Sequence, residues 1–157
     1  LADAPLESTI GIYAQTLSDP YMIALIAHHA QNKNIQIILQ PDNYSLNQIN
    51  RFCDSIPPTP DGPSPREIFG KLVEFRVFNA RTPACNERSS QHMSSIITDK
   101  VTLVGSYDFT VQARCKNRES MYALETTDYD CEVFDSDWKT LEGRVLDIFN
   151  PNMQLFQ

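Results

Sequence analysis

Apolar positions at the start of the chain form two short runs separated by a stretch of helical periodicity. Ser8 to Thr16 (STIGIYAQT) is β-branched and aromatic, which predicts a strand. Asp19-Pro20 supplies an N-cap followed by proline at the first helical position, so a helix is expected over Pro20–Gln31. Its apolar residues Met22, Ile23, Leu25, Ile26 and Ala27 cover much of the circumference, so it should be well buried. Ile35–Leu39 is a short apolar run of the kind found in interior strands. Strand, capped helix and strand in this order make a βαβ unit with parallel strands.

The pattern then becomes mixed. A second helix is expected over Ser45–Asp54, capped by Ser45, with Leu46, Ile49 and Phe52 or Cys53 on one side. Residues 56–65 hold five prolines and Gly62, which predicts a proline-rich surface loop. Arg66–Lys71 suits a helical turn, and Leu72–Phe78 (LVEFRVF) alternates as a strand does. Polar residues with Pro83 predict a loop over Asn79–Gln91. Strands are expected at His92–Thr98 and Val101–Val104, joined at Asp99-Lys100, and at Met121–Thr126. A last helix, capped by Asp135 or Ser136, would carry Trp138, Leu141, Val145, Ile148 and Phe149 and stop at Asn150-Pro151. No internal repeat is visible. The order of elements implies a single α/β domain over 1–157, a mixed β-sheet flanked by helices.

Composition changes this picture little. The chain has 157 residues, 41% hydrophobic and 21% charged, which is ordinary for a globular domain with a core of its own. No apolar run approaches the ~18 residues of a transmembrane segment. Leu1 in place of an initiator Met points to processing or a boundary within a longer chain. The net charge of -7 lowers the expectation of tight nonspecific DNA binding. A local basic groove can still coexist with it, and Arg81, Arg88, Arg114, Lys116 and Arg118 cluster around the segment described next. Cys53, Cys85, Cys115 and Cys131 form no C-x-x-C pair, and no histidine lies at zinc-finger spacing, so a metal site is not expected. Two disulfides are open to them, with nothing to select a pairing. Asn43-Tyr44-Ser45 is a glycosylation sequon, relevant only to a secreted chain.

The chemistry is concentrated between His92 and Glu119. Gln91-His92-Met93-Ser94-Ser95-Ile96-Ile97-Thr98-Asp99 is followed by Gly105-Ser106-Tyr107-Asp108-Phe109-Thr110 and by Asn117-Arg118-Glu119. This resembles the signature of the phospholipase D superfamily, H-x-K-x4-D followed by G-S-x-N and often by N-x-E. His92, Asp99, Gly105-Ser106, Phe109-Thr110, Asn117 and Glu119 match. Ser94 stands where the family has lysine, Asp108 stands where it has asparagine, and the gap before Gly105 is one residue short. His28 and His29 lack such a context. They end a helix, where the dipole favours a cation, and carry no catalytic role.

The resemblance implies a phosphodiesterase without a metal or other cofactor, of the nuclease-like, single-motif kind. His92 would attack phosphorus and form a phosphohistidine. A second histidine would protonate the leaving oxygen. With one motif per chain, the second comes from a symmetric homodimer with both motifs at the interface, unless the chain is half of a longer two-motif protein. Glu119 would orient the His92 imidazole, Ser106 would donate to a phosphate oxygen, and Asp99 would serve the turn. The lysine neutralises charge on the phosphoryl oxygens, and losing one such contact costs ~10²–10³ in rate. Ser94 offers only a neutral hydroxyl, and Asp108 adds negative charge where an anion should bind. Arg114 or Arg118 could bind substrate and supply the charge instead. Whether this copy turns over is left open. Ser94 is consistent with an engineered change, a natural pseudoenzyme, or an active variant with its charge elsewhere. The competing reading is an inactive module of the same fold that binds a ligand or a protein partner.

Overall fold

The computed structural model describes residues 1–40, 43–57, 59–78, 92–147 and 149. The expected loop over 79–91, with Arg81, Cys85 and Arg88, lies outside them, as does Ile148.

Strand β1 (Thr9–Ala14) leads through the Asp19-Pro20 cap into helix α1 (Pro20–His29) and on to β2 (Asn34–Leu39). The two strands are parallel, with Ile10 level with Ile35 and Ile12 with Ile37, as the βαβ pattern requires. Helices α2 (Asn43–Ser55) and α3 (Pro65–Lys71) then cross to β3 (Val73–Val77), also parallel to β2. Pro65 ends the proline-rich stretch as the first residue of α3, behind the cap Ser64. Strands β4 (Ser95–Ile97), β5 (Val101–Gly105) and β6 (Met121–Glu125) form an antiparallel meander beside β1. Helix α4 (Val111–Cys115) lies between β5 and β6, and α5 (Asp128–Thr140) follows β6. A 3-10 turn (Glu142–Arg144) returns the chain to β7 (Val145–Leu146) on the far side of β3. The result is a seven-stranded mixed sheet, β6-β5-β4-β1-β2-β3-β7, flanked by helices.

Alternation assigns the two faces. Ile10, Ile12, Ile35, Ile37, Leu39, Val73, Phe75 and Ile96 point to one side, against Met22, Ile23 and Ile26 of α1 and Phe69 of α3. Each such side chain contributes about 1.5–3 kcal/mol on burial. The other side carries Tyr13 and Ile38, covered by Phe134 and Trp138 of α5. Gly11 makes that cover fit, because a Cβ there would lie 2.8 Å from the Phe134 ring. The Arg76 guanidinium stacks 4.0 Å from the Trp138 ring centre. α5 does not reach the β5–β6 wing, whose Tyr122 and Leu124 stay 63% and 53% exposed.

Four expectations need correction. Ser45 does not cap α2. The helix begins at Asn43, and the Ser45 hydroxyl is buried, accepting from the Leu17 amide at 3.0 Å. The last helix starts earlier, at Asp128, because Thr127 and Asp130 form a capping box. It ends at Thr140, so Val145 pairs in β7 and is not helical. The strand expected at His92–Thr98 is confined to Ser95–Ile97. Finally, His29 is not favoured as a cation. Burial and the Lys33 ammonium, 3.3 Å from its Nδ1, hold it below the usual histidine range despite the helix dipole.

Candidate functional site at one end of the sheet

The register brings the signature to one end. β1, β2 and β3 finish at the end where β4 and β6 begin and β5 finishes. In α/β sheets the carboxyl ends of parallel strands are the usual place for ligands. His92 and Ser94 precede β4 here, Ser106 follows β5, and Glu119 precedes β6. Asp99 is at the opposite end, in the hairpin turn. That turn is organised by Thr98, whose hydroxyl donates to Val101 O at 2.8 Å and accepts from Val101 N at 3.0 Å. Asp99-Lys100 is a two-residue turn, which absorbs the short spacing before Gly105.

Gly105 and Ser106 have distinct physical reasons. β6 passes so close that a Cβ on Gly105 would sit 2.0 Å from Ser120 O. The Ser106 amide donates to that carbonyl at 2.8 Å, and the Ser120 amide donates to Ser106 Oγ at 3.0 Å. The Ser106 hydroxyl donates to Glu119. Asn117 Nδ2 donates to the other Glu119 oxygen at 3.0 Å, and Gln112 Nε2 donates to Asn117 Oδ1 at 3.0 Å. These hydrogen bonds, from Ser106 first and Asn117 second, hold the half-buried Glu119 carboxyl below the usual range. The cluster is a preorganised polar network with a carboxylate at its centre.

His92 is exposed, and among the described residues no hydrogen bond joins it to Glu119. Ser94 is buried at 8% exposure. Asp108 accepts from the Thr110 hydroxyl at 2.8 Å, and Thr110 in turn caps α4 through the Ala113 amide at 3.0 Å. Between them Phe109 adopts φ 59°, in the left-handed region. Such a conformation costs a non-glycine residue about 1–2 kcal/mol. It lets the fully buried Phe109 present its carbonyl to the Ser18 and Asp19 amides, at 3.1 and 2.8 Å.

The residue that sequence reasoning undervalued is Asp19. Expected only as a helix cap, it is fully buried and holds three partners. Its Oδ1 accepts from the Tyr21 amide at 3.1 Å. Its Oδ2 accepts from Tyr107 Oη at 3.0 Å and Arg114 Nε at 2.6 Å. Burial would raise its pKa, but the bonds from Arg114, Tyr107 and Tyr21 outweigh that and hold it below the usual range. Burial and Asp19 push the Tyr107 phenol up. Arg114 thus anchors on Asp19 and stacks 5.4 Å from the Tyr21 ring centre, with its side chain 41% exposed. Arg118 and Lys116 are exposed, and Lys100 is at the far end with Asp99. Cys53, Cys115 and Cys131 are free thiols. No helix among the described residues is long and apolar enough to cross a membrane.

Solved structures share this fold. The chain superposes on Nuc, a phospholipase D family member from Salmonella typhimurium, with a TM-score of 0.56 and 19% identity over 92% of this chain and 84% of that one. The fold is phospholipase D-like. NucT from Helicobacter pylori gives a TM-score of 0.62 at 14% identity, over 90% of this chain and 83% of that one. Phosphatidylserine synthase from Haemophilus influenzae gives 0.54 at 11% identity, and there the chain spans only 34% of the neighbour's length. No protein-family model and no curated protein matches the sequence. At these identities the phospholipase D-like likeness is one of fold, and the chemistry rests on the residues themselves.

Proposed function

We propose that the chain is a phosphodiesterase of the phospholipase D type, acting on nucleic acid or phospholipid through His92. The observation that carries this is the Ser106–Glu119–Asn117 network, preorganised at the sheet end where His92 is exposed. In the reaction the His92 imidazole attacks phosphorus, and the P–O bond to the leaving group breaks. His92 of the partner subunit in a homodimer protonates the leaving oxygen. That second histidine, now neutral, takes a proton from water as the water attacks the phosphohistidine, which returns His92 unmodified. No metal takes part. The bare β5–β6 wing, with Tyr122 and Leu124 exposed, supports the dimer. Ser94 lowers the rate, because a neutral hydroxyl replaces a cation at the phosphoryl oxygens.

One observation favours the second reading, a silent module of the same fold. Glu119 is engaged by Ser106 and Asn117, and no bond to His92 is formed among the described residues. The test is hydrolysis of an activated aryl phosphodiester in chelator, by this chain and by His92→Ala. Turnover abolished by the substitution establishes the histidine phosphodiesterase. Absence of His92-dependent turnover leaves the binding module.

A further inference from the structure

We propose that Asp19 is a positioning residue that aims the Arg114 guanidinium at the phosphate-binding end of the sheet, supplying the positive charge absent at residue 94. This rests on the phosphodiesterase reading of that end. A helix cap needs only one carboxylate oxygen, and Oδ1 already serves the Tyr21 amide. Oδ2 is left for Arg114 Nε and Tyr107 Oη. The anchor is fully buried, yet the Arg114 side chain it holds is 41% exposed. Arg114 therefore bonds inward through Nε, and no bond of its terminal nitrogens to a described residue is seen. An arginine held in this way keeps its planar, two-pronged edge available to an anion.

The side of the sheet also fits. Ile12 pairs with Ile96, and both point to the face covered by α1. Alternation turns residue 94 to that same face. Continuing the register sets Ser94 level with Ala14 at the end of β1 and with Gly105 at the end of β5. Asp19 and α1 follow directly from β1, so the Asp19–Arg114 pair stands on the face toward which a lysine at 94 would reach. Ser94 is buried, so a neutral group closes that wall and the cation enters from α4. Tyr107 ties the arrangement to the Gly105-Ser106 turn, one residue from the Ser106–Glu119 contact.

The test is titration of the full chain with inorganic phosphate by calorimetry, with circular dichroism confirming that each variant is folded. Arg114→Gln keeps a donor for Asp19 and removes only the charge. Asp19→Asn keeps Arg114 and loosens its anchor. Both are expected to weaken phosphate binding on the order of tenfold, while Lys100→Gln, at the opposite end of the sheet, leaves it unchanged. A merely structural Asp19 would lower the melting temperature and leave phosphate affinity alone, which overturns the proposal. So does a wild-type chain that binds no phosphate at millimolar concentration. Should Asp19→Asn fail to fold, Tyr107→Phe removes one support of the anchor and is expected to lose affinity to a smaller extent. Unchanged affinity in both Tyr107→Phe and Arg114→Gln overturns the proposal. Phosphate binding that depends on Arg114, without His92-dependent hydrolysis, upholds the positioned cation and removes the phosphodiesterase. His92-dependent hydrolysis with KM and kcat unaltered in Arg114→Gln does the reverse.

Discussion

A Cβ on Gly105 would lie 2.0 Å from the carbonyl oxygen of Ser120. It would also meet Met121 Sδ at 2.6 Å and Met121 Cα at 2.8 Å. No rotamer change relieves a contact with backbone, so β6 would have to move away from β5. Gly105→Ala is therefore expected to destabilise the chain by roughly 1–3 kcal/mol. The displacement would also pull Ser120 N off the Ser106 hydroxyl and disturb the Ser106–Glu119 contact. Gly143→Ala is the control, since nothing lies within 4 Å of its Cβ position, and it should stay within about 0.5 kcal/mol. Urea midpoints compare the two. Equal midpoints would mean that β6 yields freely.

Asp19 makes stability depend on acid. Its carboxyl is held below its usual range, because hydrogen bonds from Arg114, Tyr107 and Tyr21 overcome the effect of burial. The folded state therefore binds fewer protons at this site than the unfolded one. The contribution is complete above about pH 5 and is lost as the pH falls through the unfolded value near 3.9 toward the folded one. Urea unfolding from about pH 6 down to pH 3 should show a steeper loss for the wild type than for Asp19→Asn. Parallel curves would assign the acid sensitivity to other carboxylates.

How far the chain could be read in advance followed the range of each interaction. Asp19-Pro20 announces α1 because cap and first turn are neighbours in sequence, and the structure keeps that boundary. The β1-α1-β2 unit and the mixed sheet followed from local periodicity in the same way. The last helix did not. Its apolar stripe was visible at Trp138 and Leu141, but Thr127 and Asp130 set its start, and the pairing of β7 with β3 set its end. At the candidate site, Gly105-Ser106 and Asn117–Glu119 stood out as a motif and do converge. The side-chain partners of Asp19, Tyr107 and Arg114, are 88 and 95 residues away, and no spacing rule reaches that far. The left-handed backbone of Phe109 was equally hidden, since that conformation is expected of glycine or asparagine.

Restoring the lysine separates an impaired enzyme from a remodelled cleft. Ser94 is buried at 8% exposure, so a lysine there must extend its stem along the apolar wall and bring the ammonium to the mouth. Ser94→Lys is expected to lower stability by roughly 1–3 kcal/mol through desolvation of the new charge. It should raise hydrolysis of an activated phosphodiester by ~10²-fold, the effect of one electrostatic contact with the transition state. The gain must vanish in the Ser94→Lys/His92→Ala double variant. A folded Ser94→Lys chain with no gain would favour the binding module.

The proposed homodimer would put the second histidine within reach, and the β5–β6 wing is where it could be disrupted without touching the motif. β6 is the edge of the sheet, begins two residues after Glu119, and has Met121, Tyr122 and Leu124 exposed at 40%, 63% and 53%. An exposed apolar edge strand of this kind is normally covered or blunted by charge. Leu124→Arg adds such a charge away from His92, Ser106 and Glu119. The wild-type chain is expected to sediment as a dimer and Leu124→Arg as a monomer that circular dichroism shows to be folded. Turnover per chain should then fall by ~10²–10⁴, the contribution of one general acid. A wild-type monomer that hydrolyses phosphodiesters at full rate would remove the shared site, because the leaving oxygen would then have to take its proton from a group within one chain.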